Sequence, residues 1–208
     1  MINAIVLAAG EGSRMGELKQ LLPWKDRTIL ETVILNLDSS RLDGEIRVVV
    51  GSEAERIKKV LRKNEKISPV VLENPDYQRG MFSSVMRGIK NLPQETEGLL
   101  FMLADQPLVT SDIYNKLIGE FKERNSLILA PSYQDRRGHP LLLSEQMLPE
   151  VHKLAEGGQP EGGLRSLLRQ NSELIDYVEV DDKSVVIDLD YKKDYYKYHP
   201  DKTQEEEM

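Results

Sequence analysis

Residues 4–16 read AIVLAAGEGSRMG, in which an apolar strand runs directly into a glycine-rich loop, and Lys19 follows shortly after it. Glycine and the small side chains of Ala8 and Ala9 let backbone N–H groups approach anionic oxygens closely. Arg14 and Lys19 add cations that strengthen hydrogen bonds to phosphate. The stretch therefore predicts the first strand of an α/β sheet, followed by a loop that binds a triphosphate and offsets the charge of a leaving pyrophosphate.

Two common phosphate-binding loops do not fit this stretch. A Walker A loop has four residues between its glycines and continues with Gly-Lys-Ser/Thr, whereas five residues separate Gly10 from Gly16 and Glu17 follows. A dinucleotide fingerprint fits at Gly10 and Gly12, but its third glycine position is Met15. The stretch is therefore either a third kind of phosphate-binding loop, with its cations inside the loop, or an ordinary strand-to-helix turn.

The composition is that of an ordinary globular chain. Its 208 residues are 39% hydrophobic and 30% charged, which is enough for one substantial core. The net charge of −7 argues against a nucleic-acid partner and leaves positive charge to local sites, which suits a small anionic ligand. The chain has no cysteine, which excludes disulfides, thiolate catalysis and cysteine-based zinc sites. No apolar run approaches the length of a membrane span and the chain begins with a core strand, so we expect a cytoplasmic protein with no membrane partner.

Strand-like and helix-like runs alternate along the chain. The predicted strands are Ile2–Ala8, Glu45–Val50, Pro69–Leu72, Leu99–Leu103, Leu127–Ala130, Pro140–Leu143, Ile175–Val180 and Val185–Leu189. The predicted helices begin at capping boxes at Thr28 and Ser52, or cover Ser83–Leu92, Ile113–Phe121 and Gly163–Gln170. Such alternation is typical of a three-layer α/β/α fold with a mostly parallel, Rossmann-like mixed sheet. Ligands of these sheets bind beyond the carboxyl ends of the strands, here the loops after Ala8, Leu72, Leu103 and Leu189.

No internal repeat or linker interrupts this alternation, so we expect residues 1–198 to form a single domain. The segment Tyr191–Met208 is polar and ends in consecutive glutamates. It predicts a last helix, packed by Tyr195, Tyr196 and Tyr198, and then a frayed tail over residues 199–208.

The segment 7–23, LAAGEGSRMGELKQLLP, resembles the opening of the nucleotidyltransferases of the molybdenum-cofactor group. The family pattern is LAAGxSxRMGxxKxLLP, and Gly12 is the one deviation from it. Ala9 stands where the guanylyl branch of the family has glycine, which favours the branch of the molybdenum cofactor cytidylyltransferases. Further motifs follow in the family's order from about Asn3 to Tyr195. The resemblance implies a fold of the nucleotide-diphospho-sugar transferase type and catalytic roles for Arg14, Lys19 and Asp105.

A carboxylate follows the most apolar predicted strand, in the segment LADQP at residues 103–107. At the end of a strand, Asp105 can hold Mg²⁺ against phosphate oxygens or can simply cap the turn before Pro107. The segment resembles the family's central motif, in which the aspartate binds metal, and this implies that role for Asp105 and an acceptor contact for Gln106.

A second pair of carboxylates lies near the end of the chain, in the segment VIDLDYKKDY at residues 186–195. It resembles the family's VDIDTPEDY, and Asp188 and Asp190 match its two aspartates. Residues two apart on a strand face the same side, so both carboxylates could approach one metal ion, or one of them could be a solvated neighbour. The resemblance implies that Asp105, Asp188 and Asp190 bind Mg²⁺.

Two further segments resemble family motifs that shape the base and acceptor pockets. After Asn74, the glycine Gly80 opens a helix whose free N–H groups, together with Ser83 and Ser84, can bind phosphate or a base carbonyl, or the serines can merely cap the helix. The Gly-His-Pro motif at His139 and the Gly-x-Arg segment at Arg165 imply acceptor contacts, although His139 can also be a structural anchor of its turn. The nucleotide ligands implied by the resemblance are Leu7, Ala8, Ala9, Gly10, Gly12, Arg14, Lys19, Asn74, Gly80, Ser83 and Ser84.

The implied reaction is Mg²⁺-dependent transfer of CMP from CTP to the phosphate of molybdopterin, with release of pyrophosphate. A phosphate acceptor is already an anion, so no general base is required. The alternatives are transfer from GTP, transfer to a sugar phosphate or to methylerythritol phosphate, and a non-catalytic cofactor carrier or maturation protein on the same fold. The expected partners are CTP, the molybdopterin-type acceptor and a molybdoenzyme or its maturation chaperone, with the protein a monomer or weak dimer.

Overall fold

The computed structural model of the protein describes residues 1–11, 18–157 and 162–201. Gly12 and Arg14, two of the expected phosphate ligands, lie outside these ranges, as do residues 202–208 of the expected tail. No helix within the described ranges is both long enough and apolar enough to cross a membrane.

Ten strands and seven α-helices are present in the described residues. The strands are β1 (Ile2–Ala8), β2 (Pro23–Trp24), β3 (Arg27–Thr28), β4 (Ile46–Val50), β5 (Val70–Glu73), β6 (Gly98–Leu103), β7 (Ile128–Tyr133), β8 (Arg136–Arg137), β9 (Leu141–Ser144) and β10 (Ile175–Glu179). The helices are α1 (Ile29–Asp38), α2 (Ala54–Lys63), α3 (Met81–Gly88), α4 (Ser111–Arg124), α5 (Leu148–Glu156), α6 (Leu164–Gln170) and α7 (Lys192–Tyr198).

The main sheet has the strand order β10-β7-β9-β6-β1-β4-β5, and β8 pairs with β7. β9 runs antiparallel to both of its neighbours and β8 runs antiparallel to β7, whereas the other pairs are parallel. In the centre, Leu7 of β1 lies opposite Val49 of β4 and Leu103 of β6. The loops that follow β1, β4 and β6 therefore leave the same edge of the sheet.

The core occupies both faces of this sheet. Successive residues of a strand point to opposite faces, and in β1 Ala4 and Val6 join one core cluster while Ile5 joins the other. Helices α1, α2 and α4 cover the first face, and α3, α5 and α6 cover the second. The predicted three-layer fold with a mostly parallel mixed sheet is therefore confirmed.

The last predicted strand, Val185–Leu189, is wrong. Residues Lys183–Val186 form a 3-10 turn, and β10 is the edge strand of the sheet. The carbonyl of Val185 accepts a hydrogen bond from the N–H of His139, and the N–H of Leu189 donates to the carbonyl of Asp105. Val185 and Leu189 are buried, so their apolar pattern reflects packing beneath loops and not pairing in the sheet.

The helix starts also differ in part from the sequence-based expectation. The capping box at Thr28 is present, because the Thr28 hydroxyl and the Glu31 carboxylate each bind the other residue's backbone N–H. The capping box predicted at Ser52 is absent: α2 begins after Glu53, whose φ is 48° and whose side chain makes no cap. Helix α3 begins and ends earlier than predicted, and α5 was not predicted.

The C-terminal helix α7 packs against the small hairpin β2–β3. The Tyr195 hydroxyl donates to the carbonyl of Pro23 at 2.7 Å, and the ring of His199 stacks edge-on to Trp24. Tyr195 and Tyr198 pack against the buried cluster of Trp24, Ile29 and Leu189, whereas Tyr196 is exposed. Two of the three tyrosines therefore hold the last helix, as predicted.

Candidate active site

One lysine and two carboxylates from three distant segments meet at the centre of the site. Lys19 lies in a short turn after the glycine-rich loop, Asp105 lies two residues beyond the end of β6, and Asp190 precedes α7. The Lys19 ammonium donates hydrogen bonds to Asp105 Oδ2 and, at 2.8 Å, to Asp190 Oδ1. Asp105 is only 8% exposed, so its charge is shielded from water and depends on this cation.

The electrostatics of this cluster keep the lysine charged. Burial alone would lower the pKa of Lys19, but the nearby carboxylates of Asp105 and Asp190 outweigh it and raise the pKa above its usual value. Burial raises the pKa of Asp105, and the Lys19 ammonium opposes that rise. The result is a buried carboxylate held beside a permanent positive charge.

The second C-terminal carboxylate takes a different partner. Asp188 Oδ1 accepts a hydrogen bond of 2.5 Å from the side-chain amide of Gln106, whereas Asp190 contacts Lys19. The segment that carries them is not a strand, so the alternation expected of a strand does not apply there. Among the described residues, no three His, Asp or Glu side chains are grouped closely enough to form a metal site by themselves.

Asp105 and Asp190 nevertheless fit a hard divalent cation. They bring carboxylate oxygens from two separate segments onto a single positive charge. Mg²⁺ prefers oxygen ligands and commonly takes one or two carboxylates, with water and phosphate completing its shell. The donor set is therefore suitable for a metal ion that binds together with a phosphorylated ligand.

A cleft of about 820 Å³ opens above this cluster. Its walls are the loop after β1, the start of α3, the loop after β6 and the segment before α7. The expected nucleotide ligands that line it are Leu7, Ala8, Ala9, Gly10, Lys19, Gly80 and Ser84. Asn74 and Ser83 instead line a neighbouring cavity on the other side of α3.

The loop after β1 is open to a ligand at Gly10 and is held in place by Gln20. A Cβ atom built on Gly10 would meet no atom of the described residues within 4 Å, so this part of the cleft is open to them beside the backbone. The side-chain amide of Gln20, which sequence reasoning missed, donates to the carbonyls of Ala8 and Gly10 at 3.2 and 3.4 Å. Gln20 therefore joins the two ends of the loop, and only its position beside Lys19 pointed to it.

Asn74 organises the opposite wall of the cleft. Its buried amide donates to the hydroxyls of Ser83 at 2.8 Å and Ser84 at 3.0 Å, and its oxygen accepts from the N–H of Asp76. Gly80 precedes α3 with a φ of 100°, a conformation that favours glycine. The structure thus brings Gly80 and Ser84 to the cleft and places Asn74 behind them as a positioning residue.

A second cavity of about 770 Å³ adjoins the first, and Arg165 and Asp188 line both. Its lining includes the expected acceptor residues Gln106, His139 and Arg165. It also includes the exposed Arg79, Arg136 and Arg137, and the aromatic rings of Phe82 and Phe101. Sequence reasoning assigned no role to these arginines, although Arg136 and Arg137 directly precede the Gly-His-Pro motif.

Two polar atoms of this second cavity lack partners. Gln106 Oε1 and His139 Nδ1 are buried, and neither forms a hydrogen bond within the described part of the chain. Burial lowers the pKa of His139 to about 4, although Asp105 partly opposes the shift. His139 is therefore neutral near pH 7, and both atoms are available to a polar ligand group.

Comparison with known proteins agrees with this architecture. The sequence profile of the MobA-like NTP transferase domain matches residues 4–174. The molybdenum cofactor cytidylyltransferase of Escherichia coli K12 is 28% identical, over 93% of each chain. A nicotine blue oxidoreductase of Paenarthrobacter nicotinovorans is also 28% identical, over 94% of this chain and 95% of its own. A probable molybdenum cofactor guanylyltransferase of Methanosarcina mazei is 32% identical, over 76% of this chain and 70% of its own.

Solved structures show the same fold. The crystal structure of Rv0371c from Mycobacterium tuberculosis H37Rv superposes with a TM-score of 0.80 at 23% identity, over 94% of this chain and 96% of that one. A manganese complex of the same protein superposes with a TM-score of 0.74 at 24% identity, with the same coverage. The chain belongs to the MobA-like NTP transferase family, and it is a nucleotidyltransferase with the nucleotide-diphospho-sugar transferase fold.

Proposed function

We propose that the protein transfers CMP from CTP to the phosphate of a molybdopterin-type acceptor and releases pyrophosphate, with Mg²⁺ as its metal ion. The observation that carries this proposal is the pair of adjoining cavities, which share Asp188 and Arg165 in their walls. One cavity offers a glycine-rich loop and a lysine–carboxylate cluster, and the other offers arginines beside aromatic rings. This arrangement suits the joining of a triphosphate to a second anionic molecule.

In the nucleotide cleft, the backbone at Ala8–Gly10 binds the triphosphate, and Lys19 together with Arg14 offsets its charge. Asp105 and Asp190 would hold the metal ion, which would supply positive charge against the phosphates when bound. The acceptor phosphate attacks the α-phosphorus in line, the bond from the α-phosphorus to the bridging oxygen breaks, and pyrophosphate leaves. No proton has to be removed from the acceptor, which agrees with a neutral His139 that acts as a hydrogen-bond partner.

In the acceptor cavity, Arg165 lies where the two cavities join and is placed to orient the acceptor phosphate. Phe82 and Phe101 are almost completely buried and form part of an apolar floor under this cavity, on which a flat ring system could rest. The buried oxygen of Gln106 and Nδ1 of His139 would take hydrogen bonds from polar groups of that ring, which would satisfy both atoms. Arg136 and Arg137 add positive charge at the rim.

The choice of cytosine rests on Ala9, which is buried at the cleft. Its methyl group replaces the glycine of the guanylyl branch and takes space that a smaller base does not need. A single methyl group usually changes discrimination by about ten- to a few hundred-fold. The similarity to a probable guanylyltransferase makes GTP the competitor to test.

The deciding experiment measures pyrophosphate release from each of the four nucleoside triphosphates with Mg²⁺, with and without molybdopterin-type acceptor. We expect acceptor-dependent release from CTP, and equilibrium competition in which CTP binds more tightly than GTP. Greater turnover of GTP than of CTP would instead assign the protein to the guanylyl branch of the family. Release from no triphosphate, under conditions in which a known cytidylyltransferase is active, would contradict the proposed reaction and would direct attention to oxidoreductase chemistry.

We also propose that residues 1–198 act as one cytoplasmic domain, as a monomer or weak dimer, and that the product passes to a molybdoenzyme or its maturation chaperone. Both sheet faces carry helices from each half of the chain, which supports a single folding unit. One cooperative unfolding transition and a monomer mass by light scattering would agree with this. Two separate transitions would contradict it.

A further inference from the structure

We propose that the Lys19 ammonium and a divalent metal ion compete for the carboxylates of Asp105 and Asp190, so that the metal binds well only after a triphosphate has drawn Lys19 into the cleft. The proposal rests on the proposed function for the triphosphate that displaces Lys19. The competition itself can be measured without any nucleotide.

The geometry places the lysine where the two carboxylates converge. The Lys19 ammonium contacts one oxygen of Asp105 and one oxygen of Asp190, the latter at 2.8 Å. The side chains of Lys19 and Asp105 are 23% and 11% exposed. The ammonium therefore lies in a partly buried position between the carboxylates of Asp105 and Asp190. No other cation is needed to balance the buried carboxylate in this state.

The ammonium and a metal ion cannot share that position. Mg²⁺ and Mn²⁺ bind carboxylate oxygens at about 2 Å, through the same lone pairs that the ammonium uses. A second cation beside the ammonium would also add like-charge repulsion in a partly dehydrated site. Metal binding at the carboxylate oxygens that face the ammonium, Asp105 Oδ2 and Asp190 Oδ1, therefore requires Lys19 to leave them.

The Lys19 ammonium has an alternative anionic partner only when a negatively charged ligand occupies the cleft. Its side chain lines the cleft together with the loop at Ala8–Gly10. Without a ligand, leaving Asp105 would expose the ammonium to water and strip a buried carboxylate of its cation. A triphosphate supplies several negative oxygens, which accept the ammonium and help to coordinate the metal. Nucleotide and metal then bind cooperatively, with Lys19 as the residue that couples them.

The test is a titration with Mn²⁺ alone, in which the electron paramagnetic resonance signal of free Mn²⁺ reports binding. Wild-type protein without nucleotide should bind Mn²⁺ weakly. Removal of the competing cation in Lys19→Met should tighten Mn²⁺ binding by at least about tenfold. Lys19→Arg keeps a cation in place and should bind Mn²⁺ as weakly as wild type.

Lys58→Met is the matched control. Lys58 also lies between two carboxylates, with contacts of 2.7 Å to Glu55 and 2.6 Å to Glu73, but these two carboxylates are open to solvent, with side chains 79% and 54% exposed. It loses the same charge as Lys19→Met and should leave Mn²⁺ affinity unchanged. Equal tightening in both variants would reduce the effect to net charge and would overturn the proposal.

Folding of the variant has to be checked, because Lys19→Met leaves the buried Asp105 without its cation. We therefore expect a lower melting temperature for Lys19→Met than for wild type. If Lys19→Met does not fold, Lys19→Gln, whose amide can still donate to Asp105, replaces it with the same expected direction.

Equal Mn²⁺ affinity of nucleotide-free wild type and the folded Lys19 variant would also overturn the proposal. A titration with a non-hydrolysable CTP analogue separates the two proposals. Tightening in Lys19→Met without any effect of the analogue would contradict CTP as substrate and leave the competition standing.

Discussion

Asp105 is the residue on which both the proposed metal and the observed lysine depend. We expect Asp105→Asn to lower turnover by at least about a hundredfold, because a neutral amide loses the charge that holds metal and lysine. Folding should be retained, since asparagine has the same shape and can still accept a hydrogen bond from Lys19. Pyrophosphate release and thermal melting measure the two effects. Wild-type turnover at saturating Mg²⁺ would refute the assignment, and Asp181→Asn, at an exposed position, is the control.

A substitution at Gly10 should affect ligand binding without affecting the stability of the fold. Within residues 1–11, 18–157 and 162–201, a methyl group at this position would meet no atom closer than 4 Å, so Gly10→Ala should leave the melting temperature within about 2 °C of wild type. The same methyl would occupy space where the triphosphate approaches the backbone, and CTP affinity should fall by about tenfold or more. Calorimetric titration with CTP checks this. Unchanged affinity would place the phosphates elsewhere in the cleft.

At the scale of elements, the start of α3 is held by a single buried amide. Asn74→Ala removes hydrogen bonds to the hydroxyls of Ser83 and Ser84 and should lower the free energy of unfolding by about 1–3 kcal/mol. Because Gly80 and Ser84 line the cleft, the KM for CTP should rise more than kcat falls. Asn64→Ala also loses a partly buried side-chain hydrogen bond, to Glu31, at a place far from the cleft. It should lower stability without changing KM, and an equal KM effect in both variants would deny Asn74 a positioning role.

The segment that leads into β9 should make the protein sensitive to acid. Burial lowers the pKa of His139 to about 4 in the folded protein, whereas an unfolded chain has a histidine pKa near 6.5. The unfolded state therefore binds the proton first as pH falls, and the free energy of unfolding decreases between about pH 6.5 and 4, by up to about 3 kcal/mol. In His139→Gln this part of the decrease should be missing. Urea unfolding at several pH values tests it, with the exposed His152→Gln as control; an unchanged pH dependence in His139→Gln would contradict the assignment.

At the scale of the whole molecule, a chain of net charge −7 gathers arginines around one cavity. Arg79, Arg136, Arg137 and Arg165 line it, and none of them forms an ion pair with a carboxylate in the described ranges. Such a local field attracts anions and is screened by salt. We expect kcat/KM for the acceptor to fall several-fold between about 0.05 and 0.5 M ionic strength. Arg136→Gln should flatten this dependence, and Arg56→Gln on α2 should not; a salt-independent kcat/KM would argue against electrostatic capture.

Local patterns in the sequence determined the elements whose cause is itself local. The apolar strand β1 and the capping box at Thr28 depend on neighbouring residues, and the structure has both where they were predicted. The position of Asp105 just beyond β6 follows from the same reasoning, because a buried strand delivers the residues after it to the sheet edge.

Only the tertiary structure decided which distant groups meet. Lys19 lies 86 residues from Asp105 and 171 residues from Asp190, and no local pattern states that one ammonium joins both carboxylates. The sequence does not distinguish Asp188 from Asp190 as a candidate metal ligand. In the structure, Asp188 contacts Gln106 and Asp190 contacts Lys19. Val185–Leu189 is apolar enough for a strand, but its backbone bonds to loops. Burial is visible in a sequence, whereas the partner that satisfies a buried charge or a backbone N–H is set by the folded chain.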